Sequence, residues 1–202
     1  MDPFQAIRED RVVAVVRTKQ VADPVGLAKT LAEAGIRCVE FTFTIPDVLE
    51  AIEAASSSDA LVGAGTVLDA GQASRAIEAG ARFVVSPTLE PGLVEAAGDV
   101  PVFLGAFTPT EVMAAHRAGA TAVKLFPARL GGPSYLRDLR GPFPGVFFVP
   151  SGGIDQSNAR EFLEAGAVAV YAGSSLAPAE AVATGDHDEV ARRARAFMKA
   201  LR

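Results

Sequence analysis

The sequence predicts a single (β/α)₈ barrel, the fold also called a TIM barrel, over its 202 residues. Three observations predict it. Eight short apolar runs alternate with amphipathic segments along the chain. Four of these runs follow an Ala-Gly pair, and the four glycines recur at intervals of 45, 39 and 47 residues, at Gly35, Gly80, Gly119 and Gly166. The length suits one domain with a sizeable core, and about 200 residues is the lower size limit for eight βα units.

The predicted strands are continuous apolar runs, as expected of parallel strands that are buried on both faces. They are VVAVV at 12–16, IRCVEFTF at 36–43, ALVGAG at 60–65, ARFVVSP at 81–87, PVFLGAF at 101–107, ATAVKLFP at 120–127, GVFFVPSGG at 145–153 and AVAVYAGS at 167–174. Each repeat glycine closes an amphipathic segment and suits the residue after a helix, where φ is positive. A short helix is predicted at the N-terminus, and a final helix over about 186–202 packs on the barrel.

An open, doubly wound sheet is the alternative arrangement of alternating strands and helices. The even quarter-repeat and the lack of a G-x-G-x-x-G motif after the first strand favour the barrel. No linker, charge run or low-complexity stretch divides the sequence, so we expect one domain over 1–202.

Composition argues against several classes of function. The net charge is −5 and the basic residues are scattered, which argues against nucleic-acid binding. The single cysteine, Cys38, lies in an apolar run and is expected to be a buried packing residue. His116 and His187 fall on helix or linker segments, so no metal site is predicted. The sequence has no signal-peptide core or apolar run of transmembrane length, which predicts a cytoplasmic protein without membrane contact.

Two charged residues lie inside apolar strands. Lys124 is surrounded by apolar neighbours in TAVKLFP, and a lysine made neutral by burial is a good nucleophile toward carbonyl groups. Glu40 lies five residues after Gly35, as Lys124 lies five after Gly119, so the repeat predicts both inside the barrel mouth at one height. An amine that traps a keto group and a carboxylate that moves protons are the minimum set for carbonyl chemistry. A snorkelling lysine or a structural salt bridge is the alternative interpretation.

Other candidate residues lie where strands end, which is where such barrels carry their chemistry. Ser151-Gly152-Gly153 and Gly173-Ser174 follow the last two strands and predict a phosphate site, because glycines let backbone N–H groups converge on an anion. Tight turns without a ligand are the competing interpretation. The remaining candidates at strand ends are Arg17, Thr44, Thr66, Pro87 and Phe126.

With these residues assembled, the chain resembles the 2-keto-3-deoxy-6-phosphogluconate (KDPG) aldolase family, including its 4-hydroxy-2-oxoglutarate (KHG) and phosphogalactonate relatives. The resemblance runs from about Arg17 to Ser175 through the ordered motifs VEFTFTIP, VGAGTV, FVVSP, TPTEV, VKLFPA, GPFP, VPSGGI and AGSSL. It implies that Lys124 forms a Schiff base and that Glu40 is the general acid/base. The implied reaction is reversible cleavage of KDPG to pyruvate and glyceraldehyde 3-phosphate without a cofactor or metal. A cytoplasmic homotrimer of the Entner–Doudoroff pathway is implied as well.

The resemblance also implies how the small-molecule substrate is held. Thr66 and Pro87 would line the pyruvate end, and Phe126 would pack beside the imine. Gly152, Gly153 and Ser174 would hold the phosphate. Many members carry Arg at the place of Thr44, and Arg17 is expected to supply the missing cation.

Three rival functions stay open at this point. One is an aldolase for other substrates, such as KHG or 2-keto-3-deoxy-6-phosphogalactonate. Another is a phosphosugar isomerase or epimerase, which would not trap covalently with borohydride. The last is a phosphometabolite-binding barrel in which Lys124 and Glu40 only pair.

Overall fold

The computed structural model describes residues 2–90 and 92–201, in which eight parallel strands form a nearly closed barrel with helices between them. The fold class predicted from the sequence is confirmed. The strands are β1 (Val12–Val16), β2 (Cys38–Thr42), β3 (Leu61–Gly65), β4 (Val84–Val85), β5 (Val102–Ala106), β6 (Ala122–Leu125), β7 (Phe148–Pro150) and β8 (Val170–Ala172).

The strands pair in chain order from β1 to β7, and β8 returns to pair with β1. The closing edge between β7 and β8 is held by a parallel bridge between Ser151 and Tyr171. The Val168 N–H also donates to the Phe148 carbonyl across this edge, at 3.0 Å. Since all pairs are parallel, the carboxyl ends of the strands lie at one end of the barrel, together with the loops that carry the predicted site.

Side chains fill the barrel interior in layers drawn from alternate strands. We call one of them the upper layer, which β2, β4, β6 and β8 supply at the position five residues after each repeat glycine: Glu40, Val85, Lys124 and Tyr171. Each of the four is at most 2% exposed. Toward the amino ends of the strands the interior is apolar, with Cys38, Phe83 and Phe103 in one cluster. Cys38 is buried there, in agreement with its predicted packing role.

Helix α1 (Pro3–Asp10) covers the amino end of the barrel. Ala6 and Ile7 are fully buried in the same cluster as Phe103. The Asp2 carboxylate accepts from the Phe4 N–H at 2.9 Å and caps the helix. The apolar interior is therefore covered at this end, and the functional end is the opposite one.

The outer helices follow the strands as the sequence predicts. They are α2 (Pro24–Glu33), α3 (Val48–Ser56), α4 (Ala70–Glu78), α5 (Gly92–Ala97), α6 (Pro109–Arg117), α7 (Gly132–Arg140), α8 (Ala159–Glu164), α9 (Ala179–Thr184) and α10 (His187–Leu201). The repeat glycines follow helices and have positive φ, with values of 94°, 105°, 89° and 101° at Gly35, Gly80, Gly119 and Gly166. This confirms the prediction from the Ala-Gly repeat.

The elements differ from the prediction in several places, and most strands are shorter than the apolar runs that predicted them. β4 has two residues because it stops before Ser86-Pro87, where proline has no N–H to give to a strand ladder. α9 and a 3₁₀ turn over Ala128–Leu130 were not predicted. The final helix begins at His187 and its described part ends at Leu201, while residue 202 lies outside the described residues.

Across residues 2–90 and 92–201, no helix has the length and apolar character needed to cross a membrane.

Candidate active site

Lys124 and Glu40 both lie in the upper layer of the barrel, near the carboxyl ends of the strands. On β6, Lys124 is in register with Gly105 and Val149, and on β2, Glu40 is in register with Val15 and Gly63. The Glu40 carboxylate occupies space that Gly65 leaves, because a Cβ at residue 65 would collide with it. The exposed fraction is 0% for Glu40 and 2% for Lys124. The repeat register thus predicts the position of both groups.

Burial shifts the pKa values of the two groups in opposite directions. Desolvation raises the pKa of Glu40, and the nearby charges of Lys124 and Arg17 oppose this by lowering it. Desolvation lowers the pKa of Lys124, the attraction of Glu40 raises it, and the repulsion of Arg17 lowers it further. Within the described chain, neither Glu40 oxygen has a hydrogen-bond partner, so no direct hydrogen bond joins the pair. The amine of Lys124 can therefore lose its proton and act as a nucleophile.

Two aromatic rings flank the Lys124 amine. Its Nζ lies 5.8 Å from the centre of the Phe126 ring and 5.4 Å from the centre of the Tyr171 ring. Aromatic faces stabilise a cation at these distances. A neutral amine gains little from such rings, whereas a protonated amine or a protonated imine gains more. The rings therefore favour a positive charge at this position.

A cavity of about 550 Å³ opens at the carboxyl ends of the strands and reaches this pair of rings. Val15 and Tyr171 contribute to its wall, so the cavity borders the upper layer. Seven of the ten predicted substrate-binding residues line it: Arg17, Phe126, Ser151, Gly152, Gly153, Gly173 and Ser174. Lys124 does not itself line the cavity, but its Nζ lies next to Phe126 and Tyr171, which do.

The loop after β7 has the backbone that an anion site requires. Gly152 and Gly153 have φ of 89° and 81°, which side-chain-bearing residues rarely adopt. A Cβ at Gly153 would also lie 2.6 Å from the Arg129 Cβ. The Gly152 carbonyl accepts from the Arg129 N–H at 3.0 Å, which fixes the loop against the 3₁₀ turn after β6. The ionisable side chains of the cavity wall are Arg17, Arg193 and Asp155, and Arg193 is paired with Glu189 of its own helix at 2.6 Å.

Thr66 and Pro87 lie at the ends of β3 and β4. Thr66 has a φ of 56°, which is strained for a β-branched residue. Its Oγ1 is buried without a hydrogen-bond partner among the described residues. Pro87 packs so closely on β5 that a Cβ at Gly105 would collide with its carbonyl group. A strained residue with an unpaired hydroxyl is suited to donate to a ligand. Neither Thr66 nor Pro87 is among the residues that line the cavity, so their role at the pyruvate end stays a prediction.

Comparisons with known proteins place the chain in a family. The family model for KDPG and KHG aldolases matches residues 4–193. The chain belongs to the KDPG and KHG aldolase family, whose members are lyases. The 2-dehydro-3-deoxy-phosphogluconate aldolase of Treponema pallidum is 41% identical over 192 residues, which cover 93% of this chain and 91% of that protein. The KHG/KDPG aldolase of Escherichia coli K12 is 39% identical over 189 residues, which cover 91% and 89%.

A solved structure of the family agrees with this assignment. It is the KDPG aldolase of Legionella pneumophila with pyruvate captured at low pH as a covalent carbinolamine intermediate. Its TM-score with this chain is 0.88 at 31% identity, and the match covers 98% of each chain.

This chain has Thr44 at the place where the resemblance implies an arginine in many members. Thr44 is exposed, and its hydroxyl pairs with that of Thr42 at 2.7 Å. Thr44 is not among the residues that line the cavity. Arg17 does line it, and its charge acts on both Glu40 and Lys124. The structure therefore brings Arg17 into the site and leaves Thr44 outside the cavity wall.

Several residues of this aldolase cavity were not predicted from the sequence. Tyr171 could have been found, because it lies five residues after Gly166, at the repeat position of Glu40 and Lys124. Arg193 lines the cavity from α10, which lies well beyond the last strand in the sequence. Nothing in the sequence indicates that Arg193 approaches the cavity. The others are Val15, Ile154, Asp155 and Ser175. No group of three or more potential metal ligands occurs in the described ranges.

Proposed function

We propose that this protein is a class I aldolase that reversibly cleaves KDPG to pyruvate and glyceraldehyde 3-phosphate through a Schiff base on Lys124. The observation that carries the proposal is the buried pair of Lys124 and Glu40 beside a cavity that carries Arg17 and the glycine loop after β7. Family membership supports it, as does the covalent pyruvate adduct in the Legionella relative. An isomerase or a pure binding barrel gains no support from these relatives.

The chemistry follows from the protonation states of the pair. Neutral Lys124 attacks the C2 ketone, and the carbinolamine loses water to give a protonated imine. Glu40 removes the proton from the C4 hydroxyl, the C3–C4 bond breaks, and its electrons move into the imine to form an enamine. Glyceraldehyde 3-phosphate leaves as the aldehyde. The enamine is then protonated at C3, and hydrolysis of the imine releases pyruvate and restores Lys124.

The substrate is proposed to lie with its two anionic ends on different loops. The carboxylate lies near Thr66, whose buried hydroxyl lacks a partner among the described residues. The phosphate lies on the loops after β7 and β8, at Ser151, Gly152, Gly153, Gly173 and Ser174. Arg17 supplies a cation to the carboxylate, and Pro87 and Phe126 form apolar walls beside the reacting carbons.

Trapping with sodium borohydride in the presence of pyruvate tests the proposal. The chain has four lysines, of which Lys19, Lys29 and Lys199 are exposed. We expect one reduced pyruvyl group at Lys124, found by peptide mass analysis. Lys124→Ala should lose the adduct and lower kcat by at least about a thousandfold. Lys29→Ala is the matched control because its side chain is 72% exposed. Lack of an adduct on the folded parent protein would reject the Schiff-base mechanism.

Substrate choice is tested by removing the phosphate. A KDPG aldolase with a working phosphate site should cleave the dephosphorylated substrate with a far lower kcat/KM. The cytoplasmic location, the homotrimer and the place in the Entner–Doudoroff pathway stay predictions from the resemblance. Sedimentation analysis of the purified 20.9 kDa chain tests the trimer.

A further inference from the structure

Tyr171 is the fourth member of the upper layer. The layer takes its side chains from alternate strands in the order β2, β4, β6 and β8 around the barrel. Because β8 follows β6 and precedes β2 in this ring, Tyr171 lies between Lys124 and Glu40. On the far side of the pair, β4 supplies Val85, which has no polar group. Tyr171 is therefore the one other member of the layer that can exchange a hydrogen bond with the pair.

The Tyr171 side chain is held firmly by its ring. It is 1% exposed, packs edge-on against Phe103 with ring centres 6.1 Å apart, and lies 5.4 Å from the Lys124 Nζ. The Tyr171 hydroxyl, in contrast to the packed ring, has no partner: it is buried without a hydrogen bond in the part of the chain that is described. A buried tyrosine hydroxyl normally finds a partner. Packing alone would be served better by phenylalanine, so the hydroxyl needs another explanation.

The Glu40 carboxylate lacks a hydrogen-bond donor, as the Tyr171 hydroxyl lacks an acceptor. Both of its oxygens are buried and accept no hydrogen bond from any described residue. Burial disfavours the ionised carboxylate that the aldol reaction needs. A phenol donor corrects this, because a hydrogen bond to the charged form lowers the pKa of a carboxyl group. Burial and the charge of Glu40 raise the pKa of Tyr171, so the phenol keeps its proton and stays a donor.

We propose that Tyr171 is a positioning residue whose phenol O–H hydrogen-bonds the Glu40 carboxylate in the working site, directly or through one water. The inference rests on the proposed aldolase function. The Tyr171 hydroxyl acts through Glu40, whereas its ring flanks the Lys124 amine. Its effect is to keep Glu40 ionised and aimed at the C4 hydroxyl at a pH where burial alone would protonate it.

The other titratable and charged groups around Glu40 are accounted for. Lys124 faces it from β6, and Arg17 acts on it from the end of β1. Cys38 lies two residues earlier on β2, and burial raises its pKa to about 12, so it remains a neutral thiol. Once the imine has formed, Lys124 no longer titrates as a free amine, so the acidic limb of the pH dependence of kcat for cleavage reports the ionisation of Glu40. The acidic limb of kcat/KM also includes the loss of the proton from free Lys124.

The test is Tyr171→Phe, which removes the hydroxyl and keeps the ring. Loss of the donor should raise the pKa of Glu40. The acidic limb of the plot of kcat against pH should therefore move to higher pH by about one unit. Below that limb the rate should fall about tenfold. The rate at which pyruvate methyl protons exchange with deuterium can be followed by NMR. The pH dependence of this rate should shift in the same direction. Circular dichroism checks the fold, which should persist because no hydrogen bond is lost from it.

Tyr135→Phe is the matched control, since Tyr135 is the other tyrosine of the chain and its hydroxyl donates to the Phe107 carbonyl at 2.6 Å, outside the upper layer. This variant should keep the parent's acidic limb. Suppose that the parent forms the Lys124 adduct while the Tyr171→Phe variant shows the same acidic pH dependence of kcat as the parent. In that case the role of Tyr171 is refuted and the aldolase proposal stands. A Tyr171→Phe protein that fails to fold refutes it also, because the hydroxyl is then structural. If the parent forms no adduct, both proposals fall.

Discussion

At the scale of single residues, the site depends on placing ionisable groups where they are little exposed to solvent. Glu40 and Lys124 are both fully enclosed, and desolvation disfavours the charge on each. A neutral amine is the form that attacks a ketone, so the lowered pKa of Lys124 makes it reactive at a pH where an exposed lysine is protonated. Imine formation should therefore be selective for Lys124 near neutral pH.

Glu40→Gln tests the division of labour between the two residues. The variant keeps the shape of the side chain but cannot accept a proton. We expect the pyruvate imine to form on Lys124 as in the parent, while kcat for cleavage falls by roughly 10²–10⁴-fold. Borohydride trapping and NMR exchange of the pyruvate methyl protons measure the two steps separately. Glu33→Gln is the control, because Glu33 is in an exposed pair with Lys29. Methyl exchange at the parent's rate would contradict a proton-transfer role for Glu40.

How far the sequence predicts single residues depends on how unusual each one is in its place. Lys124 and Glu40 were identified because a charge in an apolar strand demands an explanation. Tyr171 was not, because tyrosine is common in strands and only the spacing from Gly166 marks it. Thr66 was expected from the resemblance, but its positive φ and unpaired hydroxyl are visible only in three dimensions.

At the scale of elements, the loop after β7 is the part that sequence predicts best. Glycine pairs at strand ends identify loops that need unusual backbone angles, and Gly152 and Gly153 have them. The contribution of α10 to the cavity wall could not be predicted in the same way. Its helical spacing is clear in the sequence, but the approach of Arg193 to the cavity depends on how the last helix crosses the barrel.

Ser174→Ala tests the phosphate loop. Ser174 lines the cavity and is exposed, so its hydroxyl is available to a phosphate. Loss of a hydrogen bond to a charged group should raise KM for KDPG by about 10–100-fold. Borohydride trapping with pyruvate should be unaffected, because pyruvate carries no phosphate. Ser74→Ala, on the surface of α4, is the control. An equal loss of pyruvate trapping would argue that Ser174 supports the site as a whole rather than the phosphate.

At the scale of the whole molecule, the fold was predictable because it repeats. Four Ala-Gly pairs specify four helix ends and the strands that follow them, and the parallel order then leaves few topologies. The details of closure were not predictable. The β7–β8 edge is held by few hydrogen bonds. Helix α1 covers the amino end of the barrel, but its sequence has the pattern of an ordinary amphipathic helix and does not indicate this position.

The barrel interior also predicts a cost in stability for the buried pair. The apolar core is interrupted in its upper layer by two ionisable side chains that lack a hydrogen bond to each other. Removal of one leaves the other buried alone, whereas removal of both leaves the Tyr171 hydroxyl as the one polar side-chain group of the layer. Flexible methionines fill similar volumes, so the double variant Lys124→Met with Glu40→Met should keep the barrel.

We expect this double variant to be inactive and more stable than the parent, with a free energy of unfolding higher by about 1–4 kcal/mol. Urea denaturation at neutral pH measures the difference. Lys29→Met with Glu33→Met is the matched control, because it removes an exposed pair at 3.9 Å. Its stability should stay within about 0.5 kcal/mol of the parent. A double variant of the buried pair that is less stable than the parent would mean that Lys124 and Glu40 hold the barrel together, as in the salt-bridge alternative.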